Sequence, residues 1–146
     1  MNISENHVKL LVQEPYYSRG KDYCKDGMVR ITSLSDTEIK AKVVGNNVYV
    51  VQVRLLPDNV LEGSCSCYAF NDFGPCKHIA AACFSAILRI THNRENFSRE
   101  CAERVAEFEQ FERKLLQKTK TELIEIIIQL SNDNPEIIYD FCCEDY

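Results

Sequence analysis

Residues 65–78 read CSCYAFNDFGPCKH, and this stretch decides how the chain folds. It holds two close pairs of side chains, Cys65 with Cys67 and Cys76 with His78, joined by a short loop. Three thiolates and one neutral imidazole form the closed tetrahedral donor set that structural Zn²⁺ favours. The Gly-Pro step before the second pair predicts a sharp turn that brings the two pairs face to face. We therefore predict that these four side chains bind one zinc ion.

Two other interpretations of these residues stay open at this point. They could be buried thiols beside a packed histidine, since isolated cysteines usually behave as small apolar residues. They could also form disulfides, because the chain has 8 cysteines. The N-terminal residues 1–6 lack the basic and apolar regions of a secretory signal, which favours a reducing, cytoplasmic location and free thiols. No run of about 18 apolar residues exists, so we expect no contact with a membrane.

The pattern Cys-x-Cys followed by Cys-x-His at the start of a helix resembles the SWIM-type zinc finger. The resemblance extends upstream to the residues Tyr16, Arg19, Gly20, Tyr23, Gly27 and Val29. It places the family's metal ligands on Cys65, Cys67, Cys76 and His78, whereas Tyr68 stands where many members have proline. Members of the family occur beside helicases and in transposases. The resemblance implies a zinc-binding module that binds DNA or RNA, alone or in a complex with a helicase or other nucleic-acid machinery.

Alternation of apolar and polar residues predicts a small antiparallel sheet before the metal pattern. Its strands are predicted at residues 28–34, 37–44, 48–55 and 60–65, with hairpin turns at 45–47 and 57–59. A short helix is predicted after Ser4 and another from Ile79 to His92, while residues 16–27 are predicted as loop and turn. The fold class is α+β, with a Cys₃His zinc finger that runs into a helix and a helical segment at the C-terminus.

The charge is divided unevenly along the chain. Residues 1–92 contain 10 Lys and Arg against 9 Asp and Glu, whereas residues 93–146 contain 7 against 13. We predict two domains with this boundary, the second being a helical extension that packs on the first. A capping box at Thr119–Glu122 predicts the start of one of its helices, and a last short helix is predicted from Asn134. The alternative function is therefore a protein-interaction adaptor that acts through these acidic helices.

A basic surface is predicted on the outer face of the sheet. The strand registers place four cations on this face, and a fifth lies between the last two metal ligands: Arg30, Lys40, Lys42, Arg54 and Lys77. These residues could contact nucleic-acid phosphates, but a charged outer face is also typical of ordinary solvation. The first 92 residues are not strongly basic, so composition alone does not indicate nucleic-acid binding.

Motifs typical of catalysis are absent from the sequence. It has no Gly-rich phosphate loop, no Gly-x-Ser-x-Gly and no His-Glu-x-x-His. A metal with four protein ligands also has no open position at which to activate water. We therefore expect a protein that is not an enzyme and has no small-molecule substrate.

Overall fold

The computed structural model describes residues 1–136 and residue 138. Contacts divide the chain into two compact units, Met1–Phe108 and Glu109–Tyr146. The elements in chain order are α1 (Glu5–Leu11), α2 (Tyr16–Lys25), β1 (Val29–Leu34), β2 (Glu38–Val44), β3 (Val48–Leu55), β4 (Leu61–Cys65), α3 (Tyr68–Phe73), α4 (Lys77–His92), α5 (Arg99–Leu116) and α6 (Lys120–Asp133). The predicted α+β class is confirmed. None of the helices in the described residues has the length and apolar character needed to span a bilayer.

The first unit is built on a four-stranded antiparallel sheet in the order β1-β2-β3-β4. Alternate residues of β2 and β3, which include Ile39, Val43 and Val51, are fully buried and form one core with α4. The intervening residues of both strands point to the opposite face, as the period of two requires. A bulge at Thr32 shifts the register of β1, so that Ser33 is the partner of Lys40. The predicted strands agree with the observed ones to within one residue at each end.

Residues 16–25 form a helix, so the prediction of loop and turn for this region was wrong. Gly20 is buried in α2, and a Cβ atom at this position would lie 2.4 Å from the Cβ of Ala80 in α4. The glycine therefore allows the two helices to pack closely, and it does not mark a turn. Gly27 ends the segment with a φ of 68°, a conformation that favours glycine.

The chain after α4 returns to α2 and to the sheet within the first unit. The Asn96 amide donates to the carbonyl of Cys24 at 3.0 Å, and the Ser98 N–H donates to the carbonyl of Gly27 at 2.7 Å. On the outer face of the sheet, Val44, Cys101 and Val105 form a small buried cluster, and the partly buried Met28 and Val48 pack against it. The predicted division of the chain into residues 1–92 and 93–146 stays a prediction.

The second unit contains the end of α5 and the whole of α6. The predicted capping box is present at the start of α6: the Glu122 N–H donates to Thr119 Oγ1 at 3.2 Å, and the Thr119 N–H donates to Glu122 Oε2 at 2.8 Å. The predicted last helix falls mostly on residues 137 and 139–146, which lie outside the described residues.

Candidate metal centre

Four elements of the first unit converge on the metal pattern. Cys65 is the last residue of β4, where it pairs with Val51 of β3. Cys67 and Cys76 precede α3 and α4 in extended conformations, and His78 lies in the first turn of α4. Because each ligand sits at the end of an element, backbone hydrogen bonds fix its direction. The carbonyl of Cys76, for example, accepts from the N–H of Ile79 at 3.1 Å.

The spacer between the two pairs is a helix, so the predicted loop was wrong for residues 68–73. Helix α3 ends at Gly74, whose N–H donates to the carbonyl of Phe70 at 2.9 Å. Gly74 has a φ of 77°, in the region where glycine is favoured over other residues. The predicted reversal before Cys76 therefore occurs, but it is the C-terminal end of a short helix.

The geometry of the cluster fits a tetrahedral ion. One ligand atom from each of the four side chains lies within 4.8 Å of the others. Nδ1 of His78 is 3.7 Å from Sγ of Cys65 and 3.8 Å from Sγ of Cys76. A tetrahedral zinc ion with Zn–S and Zn–N bonds of about 2.3 and 2.0 Å separates such atoms by about 3.5 Å. Both distances from Nδ1 are thus close to the separation of two ligands in a tetrahedral site.

Burial and electrostatics also favour a cation at this position. The four side chains are only 2–6% exposed. A hydrogen bond donated by Cys65 lowers the pKa of the Cys76 thiol, and donating the same bond raises the pKa of the Cys65 thiol. Burial raises the pKa of Cys67. Without a cation, the sulfurs therefore cannot all be ionised together, because buried thiolates repel one another. A divalent ion would offset this repulsion and the cost of burying the charges.

The imidazole of His78 lies between two tyrosine rings. The ring of Tyr49 stacks on it with a centroid distance of 4.3 Å and an interplanar angle of 25°. The ring of Tyr23 meets it edge-on at 5.6 Å, and Nζ of Lys77 lies 4.7 Å from the centroid of Tyr23. Residues 16–27 and β3 therefore both contact the metal pattern through aromatic side chains.

Comparison with known protein families matches residues 49–87 to the SWIM zinc finger. Over these residues the chain resembles a SWIM zinc finger. The match begins in β3, includes all four ligands and ends in α4, so the resemblance seen at residues 65–78 is confirmed. The upstream resemblance at residues 16–29 lies outside the matched residues and stays a prediction. The Cys₃His donor set of this finger is a metal site suited to zinc. Comparison of the chain with curated proteins and with solved structures gives no match.

The residues predicted to contact nucleic acid lie on two sides of the sheet of the first unit. Arg30 and Lys42 are cross-strand partners on the outer face, and Lys40 and Arg54 lie on the same face. Lys77 belongs to α4, which packs on the core face. The structure therefore brings four of the five cations onto one face and leaves Lys77 beside the metal site.

Each of the four outer-face cations has a contact within the chain. Glu38 forms ion pairs with Lys40 at 3.2 Å and with Arg54 at 3.4 Å. The guanidinium of Arg30 lies 5.9 Å from the ring centroid of Phe97, and Nζ of Lys42 lies 5.1 Å from that of Phe108.

Sequence reasoning assigned neither Tyr49 nor Tyr23 to the metal site. The sequence offered only a weak signal for their role at the metal site, namely that both are aromatic residues upstream of the ligands. Only the fold brings β3 and α2 against the first turn of α4.

Proposed function

We propose that the protein is a non-catalytic binding module whose first unit is stabilised by one structural Zn²⁺. Cys65, Cys67, Cys76 and His78 would supply all four ligands, which leaves no open coordination position for a substrate. The bound ion would hold β4, α3 and α4 together at the point where they meet. Thiolate ligands persist in a reducing compartment, which supports a cytoplasmic location.

We propose a protein as the partner, and the exposed face of α6 is the observation on which this rests. Four aliphatic side chains define this α6 face, each 44–58% exposed: Ile124, Ile127, Ile128 and Leu130. The first three have the i, i+3, i+4 spacing of one helix side. Such a density of exposed aliphatic residues is typical of a surface that binds another protein.

The charge around the α6 face indicates the chemistry of that partner. Helix α6 itself contains 3 acidic residues, Glu122, Glu125 and Asp133, against 1 basic residue, Lys120. A partner with an apolar stripe flanked by Lys and Arg would match this surface, since opposite charges at a rim speed and orient association. The SWIM resemblance favours a helicase or another component of nucleic-acid machinery as the source of such a segment.

The protein-partner proposal is tested by co-purification of the full chain from its native cells, with the bound proteins identified by mass spectrometry. The double substitution Ile124→Ser and Ile128→Ser should abolish recovery of the partner, because it replaces two aliphatic contacts by hydroxyls. The matched control is Ile90→Ser, an isoleucine of α4 that is 42% exposed. Retention of the partner by the double variant would rule out the α6 face.

Nucleic-acid binding is the second candidate, and the outer-face cations support it. Lys40 and Arg54 are 52% and 58% exposed despite their ion pairs with Glu38. Binding of short single- and double-stranded DNA and RNA should weaken steeply with salt and fall when both cations are changed to Glu. Lys25→Glu, on the exposed end of α2, is the matched control. Failure to bind any of these oligonucleotides at low salt would discard this candidate.

A further inference from the structure

We propose that Tyr49 and Tyr23 are positioning residues for the metal ligand His78. Their rings form an aromatic clamp, defined as the stacked Tyr49 and the edge-on Tyr23, that fixes the plane of the imidazole. The clamp contacts an imidazole whose Nε2 makes no hydrogen bond with a described protein group. This inference rests on the metal site alone and is independent of which partner the module binds.

The need for such a clamp follows from the two nitrogens of His78. Nδ1 faces the sulfurs of Cys65 and Cys76, so it is the atom placed to bind the ion. When Nδ1 binds a metal, Nε2 keeps the proton, and in most metal sites that N–H donates to a carboxylate, a carbonyl or water. Here Nε2 is buried and has no hydrogen-bond partner among the described residues. Among the described residues, no protein group therefore orients the imidazole through a hydrogen bond to Nε2.

Two aromatic rings contact the imidazole of His78. Tyr49 lies nearly parallel to the imidazole, at a centroid distance of 4.3 Å, and this offset stacking restricts tilting of the ring. Tyr23 blocks rotation from a second direction with its ring at 70° to the imidazole. The two tyrosines come from β3 and α2, so the histidine of α4 is held between two other elements.

Gly45 lies beside the clamp, where a side chain would be crowded. A Cβ atom at this position would lie 3.1 Å from Cε2 of Tyr49, 3.3 Å from the hydroxyl of Tyr23 and 3.4 Å from Nε2 of His78. A side chain at Gly45 would therefore crowd the ring of Tyr49 and the hydroxyl of Tyr23 and would touch the imidazole of His78. Because Gly45 has no side chain, the hairpin between β2 and β3 can approach Tyr49, Tyr23 and His78 closely.

The test measures zinc affinity in the full chain by competition with a chromophoric chelator, together with the absorption spectrum of the Co²⁺-loaded protein. Tyr49→Leu keeps apolar volume on β3 and removes the flat ring, whereas Tyr49→Phe keeps the ring. We expect the Leu variant to bind zinc about tenfold more weakly, as for loss of other residues that orient a ligand. Its Co²⁺ bands should shift, while the Phe variant should match the unmodified protein.

Tyr16→Leu is the matched control, since Tyr16 is also partly buried against the core but makes no ring contact with His78. Its zinc affinity and Co²⁺ spectrum should be unchanged. Equal affinity and an unchanged spectrum in Tyr49→Leu would overturn the proposal, as would an equal loss in Tyr16→Leu. Absence of zinc binding by the unmodified chain would overturn the metal site itself, and with it the clamp.

Discussion

At the scale of residues, the cysteines of the described part fall into two chemical kinds. Cys67 lies in the metal cluster with three other ligands. Cys83 is fully buried on α4, and burial raises its pKa to about 12, which keeps it a neutral thiol. The two side chains have similar size and burial, so they form a matched pair for separating ligation from packing.

Cys67→Ala should lose the metal and much of the stability of the first unit. Zinc binding contributes folding free energy of roughly 10 kcal/mol in comparable small sites, and removal of one thiolate sacrifices a large part of it. Cys83→Ala should keep one zinc per chain and cost only about 1 kcal/mol of packing. Zinc content and thermal unfolding with and without a chelator measure both effects. A melting temperature of the unmodified chain that chelation leaves unchanged would contradict a structural ion.

The ligands could be predicted from the sequence, whereas their surroundings could not. Cys65 to His78 form a local signal, because residue type and spacing alone specify the donor set. The stacking of Tyr49 on His78 depends on the register of β3 and on the position of α4, which are set by tertiary packing. That Nε2 of His78 is buried without a hydrogen-bond partner from the described part of the chain is likewise apparent only from the fold.

At the scale of elements, the start of α6 is specified by its capping box. Thr119→Ala removes the acceptor for the Glu122 N–H and should destabilise this helix by about 1 kcal/mol. Thr121→Ala, an exposed threonine in the first turn, is the matched control. Amide hydrogen exchange of Leu123 and its neighbours measures the opening of the helix. Equal exchange rates in the two variants would show that the cap does not stabilise α6.

The same cap has a pH dependence of known sign. A hydrogen bond from Lys118, followed by those from the backbone and side chain of Thr119, lowers the pKa of Glu122 from 4.5 to about 2. Because the folded pKa is depressed, the stabilisation is complete above about pH 4.5 and is lost as the pH falls through 2. An NMR titration of the Glu122 carboxyl carbon should give a midpoint near 2, and Lys118→Met should raise it. A midpoint near 4.5 in the unmodified chain would refute the ion pair.

Helices and strands were predicted correctly where apolar residues recur at a regular spacing. The prediction failed where a glycine could mark either a turn or close helix packing. The sheet and α4 have apolar residues at regular spacing, and their bounds were found to within two residues. Helix α2 was missed because Gly20 and its polar neighbours are typical of a turn. In the structure this glycine instead allows α2 to pack closely on Ala80. Helix α3 was missed because residues 68–73 are too few to show a helical period.

At the scale of the whole molecule, the core is confined to one part of the chain. Among the described residues, every buried apolar side chain lies between Ile3 and Val105. The segment from Asn96 to Val105 contributes to this core by covering Val44 and by hydrogen bonding to the end of α2. A folding unit that contains the finger should therefore need this segment, even though the charge division suggested a boundary at residue 92.

Two truncated chains would locate the C-terminal boundary of the folding unit that contains the metal site. A chain of residues 1–108 should bind one zinc and keep nearly all of the stability of the first unit, since it retains the complete core. A chain of residues 1–92 should be less stable by about 4 kcal/mol, because it exposes Val44 and loses the hydrogen bonds of Asn96 and Ser98. Zinc content and urea unfolding of both chains make the comparison. Equal stability of the two would show that residues 93–108 are dispensable, and the boundary would then lie at residue 92 as the charge pattern predicts.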